Sequence, residues 1–426
     1  RDLRMSRGLG DVYKRQQIMG CSQNEVTEVS PDIHPQMTFG VYTGTSTRGI
    51  DTDNTSILES PDASDKYGGF GIMGYFTGSQ KWEDAKATTA PGFMHNQKVA
   101  WNSSENAWTY SPTKYWPNNK NDKISFFAYA PYESAWQSGT KAGVIVCDAT
   151  TKGIPYITFT LKEGDDLPKM VDLVVADKTD QQYTDANGGK VSFQFNHTLA
   201  RVSFKAKLGD GEFTGMDGDE SFVYITEMWI VGRNHGTTAA DGNMSLFNAS
   251  APSNSNSRFY TTATWKELHW NYDNAVIPEK DFSLKAMLKT TDGSITESNP
   301  TDGHDKTISG VKITEASQTN PVSLFPDKQH LYLIPIGDTN VNPDSGSGCA
   351  DGDIQIGFHY DIVSKDKTNS NQYIASHAES VIKLPVGHLK RQKTYQYTLT
   401  INLHAITINE VKVDTWGTEV TESPVE

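Results

Sequence analysis

The sequence predicts an all-β protein built as two tandem β-sandwich domains. Short segments of alternating apolar and polar residues recur from end to end, which is the pattern of half-buried strands. Clusters rich in Gly, Asn and Asp separate them, supplying turn conformations that strands cannot use. Helical periodicity is scarce, so the amphipathic helices that βαβ units need are missing from the pattern. A length of 426 residues suits two domains of ordinary size.

In chain order, the first strand is carried by Met37, Phe39 and Val41, alternating with Thr38 and Gly40. Ile124-Phe126-Ala128, Ile157-Phe159-Leu161, Val191-Phe193-Phe195 and Val202-Phe204-Ala206 follow with the same period. The cluster Asn118 to Asp122 is expected to turn ahead of Ile124. Asp185-Ala186-Asn187-Gly188-Gly189 is expected as a hairpin-type entry to the strand at Val191. The second half repeats the pattern with Phe222-Tyr224, Met228-Ile230, Phe282-Leu284, Leu331-Leu333 and Ile354-Ile356-Phe358, closing on the series from Tyr395 to Leu403. The stretch Gly209 to Asp219 has little to bury and sets the expected boundary, giving domains at residues 21–209 and 210–426. Ser253 to Ser257 and Asn340 to Gly348 are expected as surface loops.

A net charge of −14 and a pI near 5.3 argue against the basic face that nucleic acid requires, so no nucleic-acid partner is expected. No apolar run is long enough for a membrane-spanning helix. Gly69-Phe70-Gly71-Ile72-Met73-Gly74 has dinucleotide-type glycine spacing but falls in an expected strand and opens no helix, so no cofactor is assigned. The eleven histidines are dispersed and form no helical two-histidine motif, so no metal is assigned. Acidic stretches at Asp217 to Glu220 and Asp351 to Asp353 fit solvated turns better than calcium loops. No nucleophile, metal or cofactor motif survives its context, and a non-enzymatic role is expected. Cys147 and Cys349 are expected as free or buried thiols. Trp101, Trp108, Tyr110, Tyr115 and Trp116 form an aromatic cluster; filling a sandwich core is favoured over stacking on sugars.

Residues 1–20 are expected to be adapter-derived residues followed by a truncated signal peptide. Arg1 to Gln16 looks like translated adapter read-through, and the genuine frame is expected to begin near Gln17. In Gln17-Ile18-Met19-Gly20-Cys21-Ser22-Gln23-Asn24, a small residue precedes Cys21 and a polar run follows it, as lipoprotein processing requires. Lipidation at Cys21 would make the chain downstream extracytoplasmic. Arg48 follows the first strand, and its neighbours Thr45-Ser46-Thr47 and Gly49-Ile50-Asp51 suit an accessible loop.

The chain resembles the fimbrillins of type V pili, including their Mfa-like relatives, from Gram-negative anaerobes. Besides Cys21 and Thr47-Arg48-Gly49, the matching pieces are Trp108-Thr109-Tyr110-Ser111-Pro112, Tyr115-Trp116-Pro117 and Phe126-Phe127-Ala128-Tyr129-Ala130-Pro131. Further on come Phe195 to Val202 and the segment from Tyr395 to Trp416. The resemblance spans most of Cys21 to Trp416 and implies transthyretin-like sandwiches. It also implies a pilus subunit exported to the outer membrane as a lipoprotein and assembled by strand exchange. An arginine-specific protease would cut at Arg48 and remove the strand of Met37, Phe39 and Val41. A neighbouring subunit's strand would then fill the groove. Ile406, Ile408, Val411 and Val413 would supply the donor strand, and the short polar segment after Trp416 suits a tip or accessory subunit. Implied partners are other fimbrial subunits, the protease, the outer membrane through the lipid anchor before processing, and a host or microbial surface glycan or protein. A surface adhesin or carbohydrate-binding lipoprotein is the alternative.

Overall fold

The computed structural model describes residues 35–42, 68–132, 143–210, 221–232, 259–268, 272–276, 280–289, 294–297, 307–327, 329–335, 354–366, 368, 372–385, 389–403 and 405–415. The earlier part carries β1 (Thr38–Tyr42), β2 (Phe70–Gly78), the one-turn helix α1 (Trp82–Ala85), β3 (Met94–Asn102), β4 (Ala107–Thr109), β5 (Lys123–Ala130), β6 (Val144–Val146), β7 (Tyr156–Thr160), β8 (Val174–Gln181), β9 (Lys190–Gln194) and β10 (Asn196–His197). The later part carries β11 (Ala200–Leu208), β12 (Ser221–Ile230), β13 (Thr262–Lys266), β14 (Tyr272–Val276), β15 (Phe282–Ser283), β16 (Ser294–Thr296), β17 (Thr307–Ser309), β18 (Val311–Ile313), β19 (Val322–Ser323), β20 (Leu331–Leu333), β21 (Gln355–Lys365), β22 (Tyr373–Lys383), β23 (Lys393–Ile401) and β24 (Ile406–Thr415).

The first sheet has eight strands in the order β10-β8-β5-β2-β3-β4-β1-β9. Its two end strands are separated in sequence by Phe195 alone, so the sheet must curl until its edges approach. The enclosed face gathers Met37, Phe39, Phe70, Phe126, Trp108 and Phe193 into one core. The opposite face of β2 and β5 is buried as well. Met73, Tyr75, Phe127 and Tyr129 join a second cluster with Ile157, Phe159 and Trp265 of the four-stranded sheet β14-β13-β7-β6. Burial on both faces explains why Phe126-Phe127-Ala128-Tyr129-Ala130 is continuously apolar where a half-exposed strand would alternate.

Two five-stranded sheets form the later sandwich. One runs β19-β11-β23-β24, with β20 also on β11; the other runs β15-β12-β21-β22, with β18 also on β12. Val202, Phe204 and Leu399 from the first bury with Val223, Ile225 and Phe358 from the second. Phe204 stacks on Tyr397 with ring centroids 5.5 Å apart. Across these facing layers the alternating residues of β11 and β23 do what the period predicts.

In two places the structure departs from the expected organisation. Phe222-Tyr224 and Met228-Ile230 share one strand, yet a bulge between Ile225 and Glu227 shifts the register against β21. Phe222 and Tyr224 therefore lie in a small outer cluster with Val363, while Met228 and Ile230 lie in the interior. The domain division at residues 209 and 210 also differs from the sheets. β11 precedes it but pairs in parallel with β23, and β13 follows it but pairs with β7. Composition marked a loop there, and loops connect strands within a sandwich as well as between sandwiches. In hydrogen-bonding terms the chain leaves the first sheet for the last time between His197 and Ala200. At that crossing His197 Nδ1 lies 2.7 Å from the buried Asp172 carboxylate, and the Thr198 hydroxyl donates to the Leu173 carbonyl oxygen at 2.8 Å.

Candidate functional site

β1 is inserted between two strands of the first sheet. It runs parallel to β9, from Thr38 opposite Lys190 to Tyr42 opposite Gln194, and antiparallel to β4, with Phe39 opposite Trp108. Alternation sends Met37 and Phe39 into the core, where they are 0% and 4% exposed, while Val41 is half-buried and packs against the same core. The Phe39 ring is surrounded by aromatic rings: Tyr110 at 5.2 Å, Phe126 at 5.9 Å, Phe193 at 6.0 Å and Phe70 at 6.3 Å between centroids. Each such pair adds favourable edge or offset contact beyond the burial of area.

The start of this strand is held through its backbone. The Met37 amide donates to the Lys114 carbonyl oxygen at 3.0 Å and the Thr38 amide to that of Gly189 at 3.1 Å; the Trp116 amide donates to Pro35 O at 3.1 Å. The Tyr110 hydroxyl donates to the Met37 carbonyl oxygen at 2.8 Å. Burial pushes the Tyr110 phenol above its ordinary pKa, partly opposed by its hydrogen bond with the Lys114 backbone, which keeps it a neutral donor. Gly189 takes a φ of +78°, and a Cβ there would sit 3.0 Å from both Gln36 O and Trp116 Nε1. The Trp116 indole N–H donates to the Gly189 carbonyl oxygen at 2.9 Å, so this glycine turn and Trp116 together close the strand's entrance. The turn before β9 is where the sequence places it, but among the described pairings it closes no hairpin: β9 pairs in parallel with β1 and not with the preceding strand β8, so the turn serves β1 instead.

The carboxy-terminal residues Ile406, Ile408, Val411 and Val413 lie in β24, paired antiparallel with β23 at the end of the later sheet. Ile406 and Val411 are buried, Ile408 is half-buried and Val413 is 49% exposed. A bulge at Asn409 puts Glu410 opposite Thr398 and Ile408 opposite Leu399. The structure thus places the two strand segments in different sheets. Cys21 and Arg48 lie outside the described residues, as do Cys349, the acidic stretches near Asp217 and Asp351, and the two polar loops.

Four of the five aromatic residues serve the core as favoured, with Trp108 and Trp116 buried and Trp101 and Tyr110 packed against the same core, whereas Tyr115 is 53% exposed. The glycine-spaced segment is strand β2, and Cys147 is a buried free thiol. Two histidines on the outer face of β21 and β22 escaped sequence reasoning, because their partners come from other strands. His359 lies 2.9 Å from Glu227 and 3.3 Å from Glu379; His377 lies 2.6 Å from Asp361 and 3.5 Å from Glu297. Hydrogen bonds that the His359 ring donates to Glu227 and Glu379 push His359 up to about 9, and His359 with Lys285 draws Glu227 down to about 2. Among the described residues, no group of His, Cys, Asp and Glu is arranged to hold a metal ion.

The family model described as fimbrillin-like matches residues 69–416. The fimbrium subunit Fim1C of Phocaeicola vulgatus is 30% identical over 402 residues, covering 94% of this chain and 93% of the relative. A crystal structure of a fimbrial protein from Bacteroides vulgatus superposes with a TM-score of 0.65 at 26% identity, covering 89% of this chain and 99% of that one. That likeness extends over both sandwiches and agrees with the all-β architecture. On the extent of the family match and the near-complete alignment with Fim1C, the chain belongs to the fimbrillin-like family.

Proposed function

We propose that this chain is a structural fimbrial subunit of the cell surface, assembled with other fimbrial subunits by proteolysis-triggered strand exchange. One observation carries the reading: β1 is an apolar segment that precedes Arg48 in the chain and is hydrogen-bonded on both sides, so its removal would open a groove with two unpaired strand edges. In this scheme Cys21 carries the lipid anchor at the outer membrane until an arginine-specific protease cuts at Arg48 and frees Met37, Phe39 and Val41. The segment of Ile406, Ile408, Val411 and Val413 is the donor to a neighbouring subunit, and the chain is a tip or accessory member of the fibre.

Treating the folded chain with an arginine-specific protease tests this, with the Arg48→Ala variant alongside. Expected are one early cut after Arg48, departure of the segment bearing β1, and oligomers with other fimbrial subunits; Arg48→Ala prevents all three. Trimmed protein that remains monomeric in the presence of those subunits would overturn the scheme. Loss of fatty-acid incorporation in Cys21→Ser checks the anchor separately.

A further inference from the structure

We propose that the β1 groove selects its replacement strand by an aromatic residue at the Phe39 position, and that the strand it accepts is not β24 of a second copy of this chain but the aromatic-bearing strand of another fimbrial subunit. The inference rests on the strand-replacement reading above and adds the chemistry of the partner.

Two kinds of contact hold β1. At its start, the Lys114 and Gly189 carbonyl oxygens and the Tyr110 hydroxyl engage the amides and carbonyl of residues 37 and 38. Any extended backbone satisfies these, so they hold a strand without reading its sequence. At its middle, the Phe39 side chain enters a pocket formed by the rings of Phe70, Tyr110, Phe126 and Phe193. An aliphatic side chain there loses the ring-to-ring contacts, and a small one leaves a cavity in a closely packed core. A suitable strand is thus apolar at the Met37 position, aromatic at the Phe39 position and apolar at the Val41 position, with backbone direction parallel to β9.

The chain's own β24 does not meet that description. It reads Ile406-Thr407-Ile408-Asn409-Glu410-Val411-Lys412-Val413-Asp414-Thr415 and contains no aromatic residue. With Ile406 and Ile408 aligned to Met37 and Phe39, Glu410 falls on the Val41 position; with Val411 and Val413 so aligned, Thr415 does. No register within β24 places apolar residues at all three positions. A fibre made by repeated insertion of this strand into this groove is therefore disfavoured, and the groove calls for a donor strand bearing Phe, Tyr or Trp, which β24 does not supply.

The test uses the full chain with a site-specific protease sequence inserted between β1 and β2, cut once, so that it does not depend on Arg48. Release of the β1 segment is followed in a fixed moderate urea concentration for the unsubstituted chain, Phe39→Leu and Phe39→Ala. Release is expected to be about tenfold faster for Phe39→Leu, from the lost ring contacts, and more than about a hundredfold faster for Phe39→Ala. Peptides of residues 35–42 and of residues 406–415 are then offered to the emptied groove, and only the first is expected to bind. Equal release of Phe39→Leu and the unsubstituted chain, or equal binding of the two peptides, would overturn the inference. Should Phe39→Ala not fold, the leucine variant and the peptide pair still decide. A segment that leaves in urea with the expected ratios yet never leaves in buffer, even with donor peptide present, counts against strand replacement and leaves the pocket's selectivity standing.

Discussion

The Tyr110 hydroxyl reaches across from the end of β4 to the Met37 carbonyl oxygen, 2.8 Å away, and so grips β1 by its backbone. The same phenol oxygen accepts from the Lys114 amide at 3.3 Å, linking the grip to the segment that pairs with the strand's start. Tyr110→Phe keeps the ring against Phe39 and removes only the hydroxyl. Its cost is expected to be about 1 kcal/mol, read as a lower urea midpoint with an unchanged slope. An unshifted midpoint would show that the hydroxyl contributes no net stability.

The pH dependence of stability follows from Glu227 and His359. Glu227 is depressed from 4.5 to about 2, so its contribution is complete above pH 4.5 and is lost as pH falls towards 2. His359 is raised from 6.5 to about 9, so its contribution is complete below pH 6.5 and is lost as pH rises through 9. This cluster therefore stabilises most between about pH 4.5 and 6.5, with a modest amplitude because both groups are well exposed to screening solvent. Thermal midpoints across pH should decline from 6.5 to 9, and His359→Gln should flatten that decline. A variant with the same alkaline slope as the parent would place its origin elsewhere.

Gly357 lies in β21 directly opposite Trp229, and a Cβ at that position would run into the Trp229 indole. Gly357→Ala forces the ring off its place beside His359, whose centroid is 4.8 Å away. A loss of about 1–3 kcal/mol is expected from such overpacking. Chemical denaturation measures it; a loss within error of zero would mean that Trp229 moves aside freely.

Cys147 is 1% exposed, with its sulfur near Met73 Sδ and the Tyr75 hydroxyl. Thiol reagents should modify it only when the fold opens. Peptide mapping by mass spectrometry after timed alkylation reads this position separately from other cysteines. Rapid labelling of Cys147 in the native protein would contradict its burial.

Period-two alternation located β1, β7, β9, β11 and β23 because each presents at least one face to a core, whereas β5, buried on both faces, reads as a nearly continuous apolar run. It could not fix which face met which neighbour. Phe222 and Met228 are in phase in the sequence and lie on opposite faces, since the bulge between Ile225 and Glu227 adds a residue that apolar spacing does not record. Pairing of β13 with β7, and of β11 with β23, joins residues from distant parts of the chain, so a glycine-rich stretch near residue 210 was a misleading divider. The candidate site was half legible. Met37, Phe39 and Val41 announced a strand, whereas the backbone grip by Lys114, Gly189 and Tyr110 depends on main-chain atoms and a turn that residue types alone do not place.

β9 stands at the end of the first sheet, and among the described pairings its ladder is with β1 alone. Withdrawing β1 would therefore break every backbone ladder contact that β9 has, leaving it tied through Phe195 to β10 and leaning on the core by Val191 and Phe193. The vacated slot is then a wall that must be rebuilt along with its occupant. Under the proposed strand exchange, acceptance of a new strand would be a small coupled folding event, with β9 and its new partner pairing residue by residue as the strand zips into register.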